Sequence, residues 1–354
     1  MTKSPSEMKL GTVAVIGLDP WDEVWRRNQH LASRLIALGL AEHVTYVNPA
    51  SSDKVPDRTP VPGVTVVSPR RRVPKRLGGL RFVARSLRRT VDRCDILWVN
   101  DPTTGYFLSR RDGVTYDVTD DWRSAWQSPR EMRRLLRAED SLAVRARTVV
   151  CSEDLRRRWR ERYNVDAVVV KNAVDVTAIR QAEPRDLGGH GPHVGYVGTL
   201  HSERIDVKLI LKTADALTAG QLHLVGPDSL SSEARATLAS HERIILHGSV
   251  SSSEVPSWLV AFDVLICPHV VSSFTLSLDA IKAYEYLATS RPVVATPTSG
   301  FQDLQAPGLV VTEEGFVRAV LHASAQSEQF HREVPDWDDR TREFAQALTG
   351  GALG

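Results

Sequence analysis

Short apolar runs enriched in valine and isoleucine alternate along this chain with longer stretches whose apolar positions recur every three or four residues. The runs 10–17, 43–47, 63–67, 95–99, 114–118 and 147–151 predict strands, and 21–38, 78–92 and 129–144 predict helices. A second cycle begins near 190. Its strands are predicted at 193–197, 221–225, 243–247, 263–267, 292–295 and 308–311, with helices near 205–219, 229–240, 252–261, 277–289 and 313–325. Alternation of this kind predicts parallel sheets covered by helices. The fold class is therefore α/β, with two doubly wound Rossmann-like domains facing a cleft. The expected division is a first domain over 1–175, a Gly-, Pro- and charge-rich linker over 176–192, and a second domain over 193–335. A C-terminal helix, 336–354, carries Trp337, Phe344 and Leu348 at helical spacing and is expected to pack back on the body.

A chain of 354 residues with 42% hydrophobic and 25% charged positions fits two globular domains. No apolar run approaches the roughly 20 residues of a membrane-spanning helix, and the N-terminus lacks a signal-peptide core. Cys94, Cys151 and Cys267 lie far apart beside apolar runs and read as buried thiols. A cytoplasmic location follows as the expectation, with the inner membrane face as a further one. The net charge of +2 conceals a division: residues 1–180 sum to +11 and residues 181–354 to −9. The basic half would attract an anionic acceptor or a membrane surface. Its arginines are not interleaved with aromatic stacking residues, so nucleic acid is not the expected partner.

In doubly wound sheets ligands bind beyond the carboxyl ends of the strands, where helix N-termini point amides at anions. Two segments of the second half fit that rule. In 195–210, Gly198 and Thr199 follow a predicted strand and Arg204 stands before a helix, a sensible diphosphate site or else a plain turn beside a solvated arginine. In 273–297, Ser272–Ser277 is expected to form the first turn of a helix whose amides at Phe274, Thr275 and Leu276 would be open to an anion. Lys282 and Glu285 follow three residues apart, so on one helix face. A carboxylate there accepts both hydroxyls of a ribose and the lysine offsets phosphate charge; the alternative is a local Lys–Glu pair.

These residues carry a resemblance. Lys171-Asn172-Ala173-Val174-Asp175, Gly195 to Leu200, His223 to Pro227, His247-Gly248, Asp263 to Pro268 and Lys282 to Val294 occur in the order and spacing of the nucleotide-binding domain of GT-B glycosyltransferases. More narrowly, the second half resembles the large retaining family of glycogen and sucrose synthases and cell-envelope sugar transferases. The resemblance implies a nucleotide-diphosphate sugar (UDP, GDP or dTDP type) as donor substrate, no cofactor and no metal, and a hydroxyl-bearing acceptor that is anionic or lipid-linked. It implies that Glu285 holds the ribose and that Arg204 and Lys282 carry the diphosphate. The family's other glutamate, eight positions earlier, falls at Ser277 and is missing. In the first half, Gly17 stands where the family's glycine-rich loop approaches diphosphate or acceptor.

Around it, Asp19, Trp21, Arg26 and Arg27 are candidates for contacting an anionic acceptor, or are ordinary charges of a first helix. At a predicted strand end, Asp120 and Asp121 precede Trp122 and Trp126. Carboxylates suit sugar hydroxyls and indoles suit pyranose faces. Asp120 or Asp121 is thus a candidate to orient or deprotonate the acceptor hydroxyl, unless either merely caps the following helix. The one Asp-x-Asp, Asp336–Asp338, follows no strand and is set aside as a metal motif. Gly-x-Gly-x-x-Gly after the first strand, a P-loop, His-Glu-x-x-His and Cys-x-x-Cys are all missing. A sugar-nucleotide 2-epimerase of the same architecture is the alternative activity, and a basic-surface polyanion binder the alternative of another class.

Overall fold

The computed structural model describes residues 9–124, 128–298, 300–326 and 328–350. The chain forms two compact units. The first takes residues up to Lys171 and takes back Trp337 onward; the second is Asn172–Asp336.

In chain order the first unit holds β1 (Thr12–Ile16), α1 (Arg27–Ala37), β2 (His43–Val47), β3 (Arg58–Val61), β4 (Val64–Val67), α2 (Gly79–Val91), β5 (Ile96–Val99), α3 (Pro102–Gly105), β6 (Val114–Val118), α4 (Pro129–Arg145), β7 (Arg147–Val150), α5 (Glu153–Tyr163) and β8 (Val168–Val169). The second holds α6 (Val176–Arg180), β9 (His193–Val197), β10 (Leu200–His201), α7 (Val207–Ala216), β11 (Gln221–Val225), β12 (Asp228–Ser229), α8 (Ser232–Ala239), β13 (Ile244–Gly248), α9 (Val255–Ala261), β14 (Val264–Cys267), α10 (Ile281–Ala288), β15 (Val293–Ala295), β16 (Leu309–Val311) and α11 (Phe316–Ser324). The last helix, α12 (Trp337–Thr349), belongs to the first unit.

The first sheet runs β3-β4-β2-β1-β5-β6-β7-β8, all parallel except the β3–β4 hairpin. Strand alternation sorts its side chains between two helical layers. Leu97 joins a core with Leu87, Leu142 and Trp159, whereas the next residue, Trp98, meets Phe344 of α12 at 4.6 Å between ring centroids. His30 of α1 stacks on Trp337. The C-terminal helix thus packs on its own first unit through the residues whose spacing predicted it.

The second sheet runs β13-β11-β9-β14-β15-β16, all parallel. Leu265 and Cys267 pack with Trp258, Leu259, Ala283 and Leu287, while Val264 and Ile266 pack with Ile210, Leu238 and Phe316. Both faces are covered, which explains why these strands read as continuous apolar runs. All three cysteines are buried, and none forms a disulfide among the described residues. Among the described residues no helix is long and apolar enough to cross a membrane.

Several boundaries differ from expectation. The polypeptide passes between units at Lys171 and Asn172, and the segment expected to be a linker contains α6, held because Ile179 is buried. The first helix starts at Arg27, not Trp21, since residues 21–24 form bends and hydrogen bonds between Asp22, Arg26 and Gln29 close the segment ahead of the helix. The helix expected from residue 277 begins only at Ile281.

Candidate functional site

In both sheets the strand order reverses direction at one place, and there the loops beyond the carboxyl ends of two neighbouring strands diverge. In the second unit that place lies between β9 and β14. Tyr196 and Gly198 stand at the end of β9, and His269 follows β14.

Gly198 has φ +144°, and a Cβ on it would fall 2.6 Å from Lys282 Nζ. Gly226, after β11, has φ +138°, and a Cβ there would lie 2.3 Å from the carbonyl oxygen of Gly198. The two turns after β9 and β11 therefore lie backbone on backbone, which only glycine permits. The gap so left is where Lys282 reaches across. Its ammonium donates to Tyr196 Oη at 2.6 Å and sits 4.2 Å from the Tyr196 ring centroid. Tyr196 Oη is also 3.1 Å from His269 Nε2 and 3.2 Å from the Thr199 carbonyl oxygen. Burial first, then the cations Lys282 and Arg204, hold His269 well below its ordinary pKa, so the imidazole is neutral.

The helix bearing Lys282 is fixed from both ends. Tyr286 Oη accepts the Val197 N–H at 2.9 Å and donates to the Val197 carbonyl at 3.2 Å, clamping α10 to the tip of β9. Before the helix, Asp279 accepts from the Asn172 backbone and from the Tyr284 hydroxyl, and its carbonyl accepts from the Asn172 side chain. Asn172 of the Lys-Asn-Ala-Val-Asp motif therefore anchors α10. Tyr196, Tyr286 and Asp279 were not singled out by sequence; the one available signal was that both tyrosines lie inside the recognised motifs.

Glu285 is one turn along from Lys282. Burial pushes its carboxyl up to about 7, with Lys282 opposing. Among the described residues it has no hydrogen-bond or ion-pair partner within reach, so the expected alternative of a local Lys–Glu bridge does not form; Lys282 is spent on Tyr196 instead. A half-buried acceptor group left without a donor invites one. Arg204 lies over the Phe274 ring at 5.0 Å and likewise has no carboxylate partner among the described residues.

The turn Ser272–Ser277 corrects an expectation. It is a separate turn, not the start of α10. The Thr275 amide is taken by Ser272 Oγ and the Leu276 amide by the Ser272 carbonyl, while the Thr275 hydroxyl donates to Val270. Thr275 and Leu276 thus have no free helix-terminal amide to offer an anion, and Phe274 serves as the platform for Arg204. Ser277, where the family's first glutamate would be, is buried with its hydroxyl donating to the Phe274 carbonyl.

The first unit reverses direction between β1 and β5. Asn100 is the hub there: its Oδ1 accepts from the Leu18 amide and from Asn28, and its Nδ2 donates to the Asp117 carbonyl. A Cβ on Gly17 would lie 2.4 Å from the Tyr46 hydroxyl, so this glycine is explained by packing against Tyr46, which in turn donates to the Asp19 carbonyl. Trp21 is 4% exposed, wedged against Tyr46 and Trp25, and has no face open to a sugar. Arg27 is buried in an ion pair with Asp117, 3.2 Å away, and cannot meet an acceptor. Arg26 is held by Asp22 and lies 3.8 Å from Asp19, at the surface.

Asp121 and Asp120 separate sharply. Asp121 is 2% exposed. Burial opposes its charge, but hydrogen bonds from Arg162, Ser124 and Arg158 overcome this and hold it well below the usual carboxylate range. A carboxylate so encased is a counter-ion, not a base, which removes it as a catalytic candidate. Asp120 is more open, accepting from Thr119 at 2.9 Å, and Trp122 beside it is partly exposed. Neither aspartate caps the next helix, because Ser128 does so. Trp126 lies outside the described residues.

A doubly wound α/β unit that gathers two cations, Lys282 and Arg204, and the half-buried carboxyl of Glu285 near its sheet reversal has the make-up of a nucleotide-binding unit. The family description Glycosyltransferase Family 4 matches residues 24–178, and Glycosyl transferases group 1 matches 191–326. By these two matches and its fold, the chain belongs to the GT-B glycosyltransferase family, in the family-4-like group. Among curated proteins it is 26% identical over 224 residues to the Bacillus subtilis (strain 168) protein TuaH, described as a teichuronic acid biosynthesis glycosyltransferase. That match covers 58% of this chain, and spans about half (55%) of the relative's length. Among solved structures, sucrose-phosphate synthase from Thermosynechococcus elongatus superposes with a TM-score of 0.73 at 16% identity, covering 96% of this chain and 94% of that one. Anabaena HepE, solved with UDP and glucose, gives 0.68 at 14% identity, covering 96% and 100%.

Proposed function

We propose that the chain transfers a sugar from a nucleoside-diphosphate donor held by the second unit to a hydroxyl of a cell-envelope polysaccharide or its precursor. The observation that carries this reading is Glu285: a half-buried carboxyl with no hydrogen-bond donor among the described residues, one helical turn from an ammonium parked on Tyr196. A ribose diol gives Glu285 the two donors it lacks, and the diphosphate gives Lys282 and Arg204 their counter-charge. As the glycosidic bond to the donor breaks, negative charge builds on the departing diphosphate, and preorganised cations at that point lower the barrier. Retention of anomeric configuration follows from the family resemblance. The solved HepE complexes with UDP and UDP-glucose support a uridine-type donor, and the TuaH similarity supports an envelope acceptor. Asp120 is the proposed acceptor-side group of the first unit, with Trp122 beside it.

The direct test incubates the protein with UDP-, GDP- and dTDP-sugars, with an envelope polysaccharide fraction supplying acceptor hydroxyls and water as the background acceptor, and measures release of the nucleoside diphosphate. One donor is expected to turn over, and Lys282→Ala to lower its kcat/KM by about 100-fold or more. Turnover of every donor unaffected by Lys282→Ala overturns the assignment.

A further inference from the structure

We propose that the face formed by the turn at Lys75–Leu77 and the exposed side of α2 docks the first unit onto an anionic phospholipid bilayer, with Leu77 and Phe82 entering the interface. From Arg58 to Thr90 the sequence holds ten basic residues and no acidic one. The structure divides the apolar residues of this segment in two. Leu80, Val83 and Leu87 are buried and hold α2 on the sheet, as an ordinary amphipathic helix requires. Leu77 and Phe82 do the opposite: they are 65% and 57% exposed.

These two side chains stand with Gly78, Arg81 and Arg85 around one shallow depression of about 300 Å³. Arg72, Lys75, Arg76, Arg81, Arg85, Arg88 and Arg89 are all exposed nearby, and among the described residues none of them forms an ion pair. The carboxylate of Glu131 is the acid that feels Lys75 and Arg134, and it is already bonded by the Ser128 hydroxyl. Apolar side chains exposed singly need no explanation, but Leu77 and Phe82 stand together inside one cationic ring, which neither plain solvent nor a soluble polyanion accounts for as well as a bilayer does. A bilayer uses both: cations meet lipid phosphates while apolar side chains enter the acyl boundary. The charges decide the lipid class, because a zwitterionic surface offers them no net attraction. This docking is independent of the donor assignment in the second unit.

The test is flotation of the full chain with vesicles of 30 mol% phosphatidylglycerol in phosphatidylcholine, against pure phosphatidylcholine, in about 0.1 M salt. The expected result is partition onto the anionic vesicles at least 100-fold above the zwitterionic ones. The double variant Leu77→Ser/Phe82→Ser keeps every charge, and is expected to lose at least tenfold in partition while its elution from a heparin column stays unchanged. Arg81→Glu/Arg85→Glu is expected to abolish both. All four residues are exposed, so the variants should melt with the parent protein, which a thermal scan verifies. Failure of the parent protein to float with anionic vesicles overturns the proposal. So does undiminished flotation of the Leu77→Ser/Phe82→Ser variant, which would make the face a binder of polyanions in general.

Discussion

Lys282 Nζ lies 2.6 Å from Tyr196 Oη, and the ammonium stands over the ring of the same tyrosine. The lysine is thus held at the tip of β9 by a phenol, not by the carboxylate one turn away. Tyr196→Phe keeps the ring and removes the hydroxyl. It is expected to weaken nucleoside-diphosphate binding by roughly tenfold, with about 1–2 kcal/mol of stability lost from the broken hydrogen bonds. Titration calorimetry with the cognate diphosphate checks the first figure and thermal unfolding the second.

Glu285 makes binding depend on pH in a defined direction. Its carboxyl is pushed up to about 7, so deprotonation to the form that accepts ribose hydroxyls is completed only above neutrality. Affinity for the nucleoside diphosphate is expected to rise between pH 6 and pH 8. Glu285→Gln should flatten that rise, and comparing the two proteins removes the titration of the phosphate itself. For stability the sign is opposite. A carboxyl raised above its unfolded value costs stability as pH climbs through the interval from about 4.5 to 7.

Three histidines that the sequence scatters meet on adjacent strands. His223 lies 3.0 Å from His193 and 2.9 Å from His247, and burial followed by these neighbours lowers its pKa to about 4. A group so depressed stays neutral in the folded protein while the unfolded chain takes up a proton below about 6.5. Stability is therefore expected to fall as pH drops from about 6.5 to 4, by about 3 kcal/mol from this residue at the acid end. Since Glu285 works in the other direction, the readout is the difference in melting temperature between wild type and His223→Asn across that range; it should narrow on acidification.

Gly226→Ala places a methyl 2.3 Å from the Gly198 carbonyl at a φ of +138°. About 2–4 kcal/mol should be lost, because the obstacle is backbone and cannot swing aside. In the first unit, Asp117→Ala strands the buried guanidinium of Arg27, and chemical denaturation is expected to show a loss of about 3–5 kcal/mol. A loss below 1 kcal/mol in either variant would contradict the packing described.

The strands and the family were legible because β9, β11 and β14 are buried on both faces, so each is written as an unbroken apolar run. Of the residues gathered at the candidate site, Gly198, Arg204, Lys282 and Glu285 were named from the motifs. What failed was local. Residues 272–280 read as helix since nothing in their side chains announces that Thr275 and Ser277 would turn their hydroxyls back onto the main chain. Trp21 and Asp121 looked like sugar contacts because residue type shows chemistry but not burial; only the fold reveals Tyr46 over one and Arg158 and Arg162 over the other. Tyr196 and Tyr286 were overlooked for a related reason. A tyrosine in an apolar run is indistinguishable from core until its hydroxyl is seen to have a partner.

The most direct measurement of the central claim is thermal unfolding of the protein with UDP, GDP, dTDP, CDP or ADP, each repeated on Glu285→Ala. A ligand present at 100 times its dissociation constant stabilises by about 2.7 kcal/mol, a visible shift. The account predicts that one diphosphate raises the melting temperature and that Glu285→Ala removes the effect. A diphosphate that stabilises wild type and Glu285→Ala equally would contradict it, and so would a folded protein that none of the five shifts.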